Sequence, residues 1–221
     1  MNNGTLNPSA SIPGKLILLW LAVFSLVMTW SAIHPHDFFT WLLEVLPALL
    51  GLSILITTYR RFRFTRMAYW LMLIHATILM VGGHYTYAEV PLFNWLRDTF
   101  DLGRNHYDKV GHFAQGFVPA IITREILIRK SPLRPGKWLF FIVVSVCLAL
   151  SACYEFIEWW VAVATGTASE AFLGTQGYVW DTQSDMFIAL IGAITSLSLL
   201  GSSHDRALAK GLEPGVGKEE L

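Results

Sequence analysis

The chain has 221 residues, of which 54% are hydrophobic and only 14% are charged, and its mean hydropathy is +0.49. Soluble globular domains carry about 25% charged residues, so this composition excludes an ordinary soluble protein and indicates a membrane protein. Basic and acidic residues number 16 each, which makes the formal net charge zero. This balance gives no support for a nucleic-acid partner, and we expect the partners to be membrane lipids.

Six apolar segments follow one another along the chain. Each is close to the ~20 residues that cross a ~30 Å hydrocarbon layer as a helix. We therefore predict an all-α polytopic membrane protein, a bundle of six transmembrane helices within residues 15–201. Residues 1–14 and 202–221 lack apolar periodicity and are predicted to be loose ends. The six segments are 16–33, 38–58, 67–83, 110–128, 138–160 and 182–201.

Lysine and arginine are distributed unevenly among the loops. All of them except Arg97, Arg104 and Lys109 lie at the termini, between the second and third segments, or around the turn between the fourth and fifth. By the positive-inside rule, loops rich in these residues stay in the cytoplasm. We therefore expect both termini to be cytoplasmic and the other three loops to face outward.

The second and third segments carry isolated polar residues. Glu44 lies before Pro47, and it either joins a polar cluster or faces the membrane interface. His84 follows two glycines, and it either serves a site or only ends the third helix. His75 lies nine residues before His84 and so points to the opposite face, where we expect a helix-packing hydrogen bond.

A polar pattern lies across the start of the fourth segment. Asp108 and His112 are four residues apart and Gln115 follows three residues later, which places all three on one face of a helix. An aspartate and a histidine with this spacing can chelate a cation. Asp108 has an alternative role as the helix N-cap.

Carboxylates also occur where the fifth segment ends and the sixth begins. Glu155 and Glu158 are three residues apart, and Asp181 and Asp185 are four apart. Acids inside a membrane are expensive to keep. His112, Glu155 and Asp185, each about one turn inside the boundary, are therefore the hardest to explain as structural residues. Glu158 lies nearer the interface, and Asp181 also suits an N-cap.

A bound cation would relieve the repulsion among these acids. Mixed imidazole and carboxylate ligands suit Zn²⁺, Mn²⁺ or Fe²⁺, so we predict a divalent metal of this kind. Asp108 would orient the ring of His112. Glu158 or Asp181 would move protons. The predicted metal ligands are His84, His112, Glu155 and Asp185, and the predicted catalytic residues are Asp108, Glu158 and Asp181.

Four stretches between the third and sixth segments resemble the YjdF inner-membrane family, a domain of unknown function. They are GHYTYAEVP at 83–91, NHYDKVGHF at 105–113, YEFIEW at 154–159 and WDTQSDM at 180–186. The resemblance implies a multi-pass protein of the bacterial inner membrane with a polar site at one end of its helices. Because no reaction is established for the family, the resemblance implies architecture and site position rather than chemistry.

A more distant resemblance is to VanZ-like proteins, which are linked to glycopeptide tolerance. It rests on Asp108-Lys109 with His112, an acid on the next helix, and an aspartate pair before a glycine-containing final helix. The chain departs from that pattern where Glu155 and Glu158 replace an acid followed by glutamine.

Three classes of function remain open. The first is a metal-dependent membrane enzyme acting on a lipid or lipid-linked envelope substrate, and the second is a transporter or channel that uses the cluster as a proton or cation relay. The third is a scaffold that binds a partner protein and whose acids are paired to Lys109, Arg104 and Arg97. A relay requires polar residues across the membrane, whereas segments five and six are nearly all apolar beyond Ser151 and Ser184, which favours the enzyme. No Walker loop, dinucleotide fingerprint, HExxH or GxSxG motif is present.

Overall fold

The computed structural model describes residues 13–166, 170–173 and 175–212. All regular secondary structure in this part of the chain is helical, which confirms the predicted fold class of an all-α polytopic membrane protein. The helices are α1 (Gly14–Ala32), α2 (Phe38–Thr58), α3 (Arg66–Tyr85), α4 (Pro91–Phe100), α5 (Tyr107–Lys130), α6 (Lys137–Thr165), α7 (Glu170–Leu173) and α8 (Asp181–Leu212).

Among the described residues, five helices are long and apolar enough to cross a membrane: α1, α2, α3, α6 and α8. Helix α5 has 24 residues, so at about 36 Å it is also long enough to cross, but it carries charged residues near both ends. The predicted count of six crossings therefore depends on α5 and stays a prediction.

Side-chain caps define where two of these helices begin. The carboxylate of Asp37 accepts a 2.7 Å hydrogen bond from the backbone N–H of Thr40 and so caps α2. The same hydrogen bond lowers the pKa of Asp37 below its usual value. Thr65 caps α3 by accepting from the N–H of Ala68.

Helix α5 lies at the centre of the bundle, in contact with α3, α6 and α8. Its closest neighbour is α8, because a Cβ atom at Gly116 would collide with the carbonyl oxygen of Ala189. In the same way, a Cβ atom at Gly192 would collide with the carbonyl oxygen of Phe113. Two backbones approach this closely only where small residues line the interface. The α5–α8 pair is therefore the most closely packed pair of helices, and it carries Asp108, His112 and Asp185.

Apolar packing completes the bundle on both sides of α5. Helices α1, α2 and α3 share a core that includes Trp20, Val45 and Leu73, and the indole N–H of Trp20 donates to the carbonyl of Tyr69 at 2.8 Å. A second core joins α5, α6 and α8 around Val143.

The prediction of a loose tail from residue 202 is wrong for the part that is described. Helix α8 continues through Gly201 to Leu212, and His204 and Leu208 are buried one turn apart. Ala207 and Ala209 favour the helix, so a single glycine does not end it. Helix α1 begins at Gly14, inside the segment predicted to be a loose start. The remaining residues of both predicted ends, 1–12 and 213–221, lie outside the described residues.

Candidate functional site

Three of the predicted site residues meet at the start of α5, and we call Asp108, His112 and Asp185 the acid–histidine cluster. Each offers one ligand atom, and these atoms all lie within 4.8 Å of one another. The Nε2 atom of His112 lies 3.3 Å from Oδ1 of Asp108 and 3.9 Å from Oδ2 of Asp185. Asp108 and His112 come together through their i, i+4 spacing, and Asp185 joins them because α8 packs so closely on α5.

The other ring nitrogen of His112 has a different neighbour. Nδ1 lies 3.1 Å from the side-chain oxygen of Gln115, one turn further along α5. An amide oxygen only accepts hydrogen bonds, so Nδ1 carries the proton. Nε2 faces the carboxylates of Asp108 and Asp185, which also only accept, so without a bound metal ion the ring is protonated at both nitrogens and pairs with Asp108. Gln115 therefore orients the ring, a role that the sequence had assigned to Asp108.

Two cations border the cluster. The ammonium group of Lys109 contacts Asp185 Oδ1 and lies 2.8 Å from Asp181 Oδ1. Arg104 Nη1 lies 2.8 Å from the same oxygen of Asp181. Asp181 is thus held in a double salt bridge, while Asp185 keeps its second oxygen directed toward His112. The scaffold hypothesis assumed that the acids pair with Lys109 and Arg104. Which carboxylate pairs with which cation depends on how Arg104 and the first turn of α5 meet the start of α8.

Two carboxylate oxygens near the cluster are buried and lack a hydrogen-bond partner among the described residues. They are Oδ2 of Asp108 and Oε1 of Glu155. Glu155 is only 6% exposed, and its Oε1 atom lies 3.9 Å from Nδ1 of His112. Lys109 and Arg104 lie 3.6 and 3.8 Å from Oδ2 of Asp108 and offset its charge. A buried carboxylate oxygen without a hydrogen bond is costly, so Oε1 of Glu155 indicates a place for a cation or a proton.

A cavity of about 80 Å³ lies beside the cluster. Glu44 lines it, is only 5% exposed, and accepts a 3.3 Å hydrogen bond from the hydroxyl of Tyr154. Glu44 therefore joins the site instead of facing the membrane interface. Glu158 is half-buried and lines the same cavity. The full lining is Glu44, Pro47, His75, Leu79, Tyr87, Asp108, Gly111, His112, Gln115, Tyr154 and Glu158.

The wall of the cavity between α3 and α5 is the ring of Tyr87. This ring occupies the space that a Cβ atom at Gly82 or Gly111 would need, so the two glycines let it pack between the helices. Tyr87 has a φ of 52°, and burial raises the pKa of its phenol well above the usual value. Its hydroxyl therefore stays protonated and can serve only as a neutral hydrogen-bonding group.

The structure does not bring His84 into the acid–histidine cluster. Its Nδ1 atom lies 3.0 Å from the carbonyl oxygen of Ser31, and its ring packs against Trp30 at a tilt of 32°, with centroids 4.5 Å apart. His84 thus fastens the end of α3 to the end of α1, which corrects its predicted role as a metal ligand. His75, on the opposite face of α3, lines the cavity instead. Its Nε2 atom has no hydrogen-bond partner among the described residues, contrary to the expected packing bond.

A second polar network, which the sequence did not predict, lies at the other end of α5. Glu125 and His204 are both completely buried. Glu125 accepts hydrogen bonds from the N–H and hydroxyl of Thr65, at 2.9 and 2.8 Å, and from Arg129 at 2.8 Å. His204 Nδ1 accepts from Arg124 at 3.0 Å, so its Nε2–H donates to Glu125 at 3.1 Å. We call Glu125, His204 and these partners the glutamate network.

Comparison with known proteins agrees with this architecture. A family model described as "Predicted membrane protein (DUF2238)" matches residues 16–206. The chain belongs to this family. "Inner membrane protein YjdF" of Escherichia coli (strain K12) is 49% identical over 186 residues, which is 84% of this chain and 89% of that relative. No solved structure matches.

These matches confirm the resemblance to the YjdF family, while the similarity to VanZ-like proteins stays a prediction. With the spanning helices, they identify a multi-pass protein of the bacterial inner membrane.

Proposed function

We propose that this protein is a membrane-embedded enzyme that binds a divalent metal ion on Asp108, His112 and Asp185 and acts on a lipid or lipid-linked substrate of the envelope. The observation that carries the proposal is the convergence of one imidazole and two carboxylates within 4.8 Å in a buried setting. A separate observation supports it, since Glu155 Oε1 is buried beside them without a partner among the described residues.

The spacing of the three groups is compatible with a metal site. Ligand atoms about 2.1 Å from a tetrahedral ion lie about 3.4 Å from one another. The distances from His112 Nε2 to the two aspartates, 3.3 and 3.9 Å, are close to this value. Lys109 contacts Oδ1 of Asp185 and leaves Oδ2 toward His112, so the lysine and an ion do not compete for one oxygen. Imidazole with carboxylates favours zinc, manganese or iron(II).

The surrounding residues have distinct roles in this proposal. A bound metal ion would supply Lewis acidity and lower the pKa of a bound water. Gln115 holds the imidazole in the required tautomer. Glu155 and Glu158 are the carboxylates free to accept a proton, because Asp181 is held by Lys109 and Arg104 and acts as a positioning residue.

The position of the site supports a substrate from the lipid phase. The cluster lies where α5 and α8 begin, at the end opposite the basic loops, and the positive-inside rule puts that end at the outer leaflet with both termini in the cytoplasm. The cavity beside it opens among helices instead of into a separate soluble domain. A substrate that lies in the membrane with its head group at this depth can reach the acids directly.

Metal analysis of the purified full-length protein tests the proposal. We expect about one divalent metal ion per chain in the wild type, and less than about a tenth of that after His112→Ala or Asp185→Asn. The matched control is Asp98→Asn, which changes an exposed carboxylate on α4 and should retain the metal. A wild-type protein without metal after purification and reconstitution with zinc, manganese or iron(II) would contradict the proposal.

A proton or cation relay is a second candidate, favoured by the glutamate network at the far end of α5. A relay would have to connect Glu155 with Glu125 and His204. The α5–α8 contact at Gly116 and Gly192 is closed backbone to backbone, which argues against a path between these two helices. Uptake of protons or cations into proteoliposomes that is abolished by Glu155→Gln would favour the relay over the enzyme.

A further inference from the structure

An apolar cavity of about 310 Å³ lies deeper in the bundle, between α1, α2, α3 and α5. Its volume is at the lower end of the ~300–1,000 Å³ that is usual for ligand pockets. Its walls are almost entirely hydrocarbon, from residues such as Phe24, Leu52, Met72 and Ile122. A site of this composition suits an alkyl chain and does not suit a polar ligand.

This apolar cavity meets the polar cavity of the candidate site. Pro47, His75 and Leu79 line both of them, so one boundary separates the acids from the hydrocarbon walls. A molecule that extends from one cavity toward the other past His75 would carry an apolar chain joined to a polar group. That is the chemistry of an amphiphile.

The boundary itself carries a hydrogen-bonding group. His75 Nε2 is buried and has no hydrogen-bond partner among the described residues. A buried ring nitrogen without a partner loses the hydrogen bond that it makes with water in the unfolded chain. The linkage between the head group and the chain of an amphiphile would lie beside this nitrogen, and an ester carbonyl there would accept a hydrogen bond from it.

We propose that the apolar cavity binds the single hydrocarbon chain of an ester-linked amphiphile, whose ester lies at His75 and whose head group extends toward the polar cavity, which has room for only part of it. The inference rests on the proposed function, because it names the substrate class for the same site. The volume and the position between helices favour one chain over two. A two-chain phospholipid would leave its second chain against the polar lining.

Gly51 offers a way to fill the apolar cavity without touching the acids. It lies on α2 and lines the cavity, and a Cβ atom added there meets no other atom within 4 Å. Gly51→Phe should therefore occupy the space of a chain while the helix stays in place. Leu50→Phe is the matched control, because Leu50 is the adjacent residue on the same helix and is 55% exposed on the outer surface of the bundle.

The experiment uses the full-length protein in nanodiscs and a lysophospholipid with a diazirine near the end of its one chain. After illumination, we expect cross-links on cavity residues such as Phe24, Met72 and Ile122 in the wild type and in Leu50→Phe. In Gly51→Phe they should fall about ten-fold, since loss of buried methylene contacts weakens binding by that order. An unlabelled lysophospholipid should compete, and a two-chain phospholipid should not.

Cross-links in the wild type that spread over the outer surface, on residues such as Trp138 and Val163, would overturn the inference even if Gly51→Phe did not fold. Equal competition by one-chain and two-chain lipids would also overturn it. A second probe with an ether in place of the ester tests the role of His75. We expect the wild type to bind the ester-linked probe about five-fold more tightly, and His75→Leu to lose this preference. A wild type that binds both probes equally would refute the role of His75.

Metal content measured on the same samples separates the two proposals. If cross-linking of the cavity residues falls in Gly51→Phe but no sample binds metal, the metal-dependent function is wrong and the chain-binding site is supported. If metal binds but the cross-links do not fall on cavity residues, the chain-binding site is wrong and the metal site is supported.

Discussion

At the scale of single residues, the chemistry of the site depends on which nitrogen of His112 carries a proton. Gln115 keeps a proton on Nδ1, because its side-chain oxygen can only accept, and a metal ion on Nε2 would replace the second proton, which faces Asp108 and Asp185. The residue that orients a metal-binding histidine contributes to affinity without touching the metal. Gln115 therefore belongs to the site even though it would not be a ligand.

Gln115→Leu should weaken metal binding about 10- to 100-fold, because it removes the acceptor for the Nδ1 proton and frees the ring to rotate. The measurement is a titration of the metal-loaded protein with a competing chelator. Gln115→Glu keeps an acceptor oxygen at the same position and should retain most of the affinity. If both variants bind metal as tightly as the wild type, Gln115 has no orienting role.

Local spacing explains which parts of the site could be predicted from the sequence. Asp108 and His112 lie on one helix, so their proximity follows from helical geometry alone. Whether His75 or His84 faces them depends on how α3 is rotated against its neighbours, which spacing within α3 does not determine. His84 contacts α1, and His75 lines the cavity.

The glutamate network escaped prediction for a related reason. Its members come from the start of α3, the end of α5 and the far end of α8, and Gly201 was taken as the point where the last helix stops. Only the continuation of α8 brings His204 to Glu125. The six apolar segments, by contrast, are a property of composition within short windows, and all of them correspond to helices in the structure.

At the scale of helices, the glutamate network joins three elements through one buried carboxylate. Glu125→Ala should reduce stability by about 3–5 kcal/mol, because it leaves the buried guanidinium of Arg129 without its carboxylate. The decrease should appear as a lower Tm for unfolding in detergent. Asp98→Ala, which removes an exposed carboxylate, should leave the Tm nearly unchanged. A Glu125→Ala protein as stable as the wild type would show that the network does not hold the helices.

The close contact between α5 and α8 is the basis of a second prediction at this scale. Gly192→Ala introduces a Cβ atom against the backbone of Phe113, so the two helices must separate and stability should fall by about 1–3 kcal/mol or more. Because Asp185 lies on α8, metal affinity should fall with it. Gly201→Ala is the control on the same helix, since a Cβ atom there meets nothing within 4 Å, and its Tm should be equal or slightly higher. Similar losses in both variants would contradict this account.

At the scale of the whole molecule, the distribution of lysine and arginine predicts which end of the bundle faces the cytoplasm. The glutamate network lies near the basic loops, and the acid–histidine cluster lies at the opposite end. The positive-inside rule therefore predicts an outer acid–histidine cluster and an inner glutamate network.

Cysteine labelling in cells tests this orientation. In a background with Cys147→Ala and Cys153→Ser, Asp98→Cys should react with a membrane-impermeant maleimide in spheroplasts. Arg61→Cys, between α2 and α3, should react only after the membrane is permeabilised. The reverse pattern would place the cluster on the cytoplasmic side and would remove the argument for an outer-leaflet substrate.

The pairing of α5 with α8 has a consequence for how the protein is made. Helix α5 carries Asp108, His112 and Glu125, and their partners on α8 are two aspartates and a histidine. These partners are synthesised more than 70 residues later, as the 72 residues between Lys109 and Asp181 show. Until then these polar groups have no partners on α8, and a helix so charged is poorly retained by lipid alone. We therefore expect a chain truncated before α8 to retain α5 in the bilayer less well than the full-length chain does.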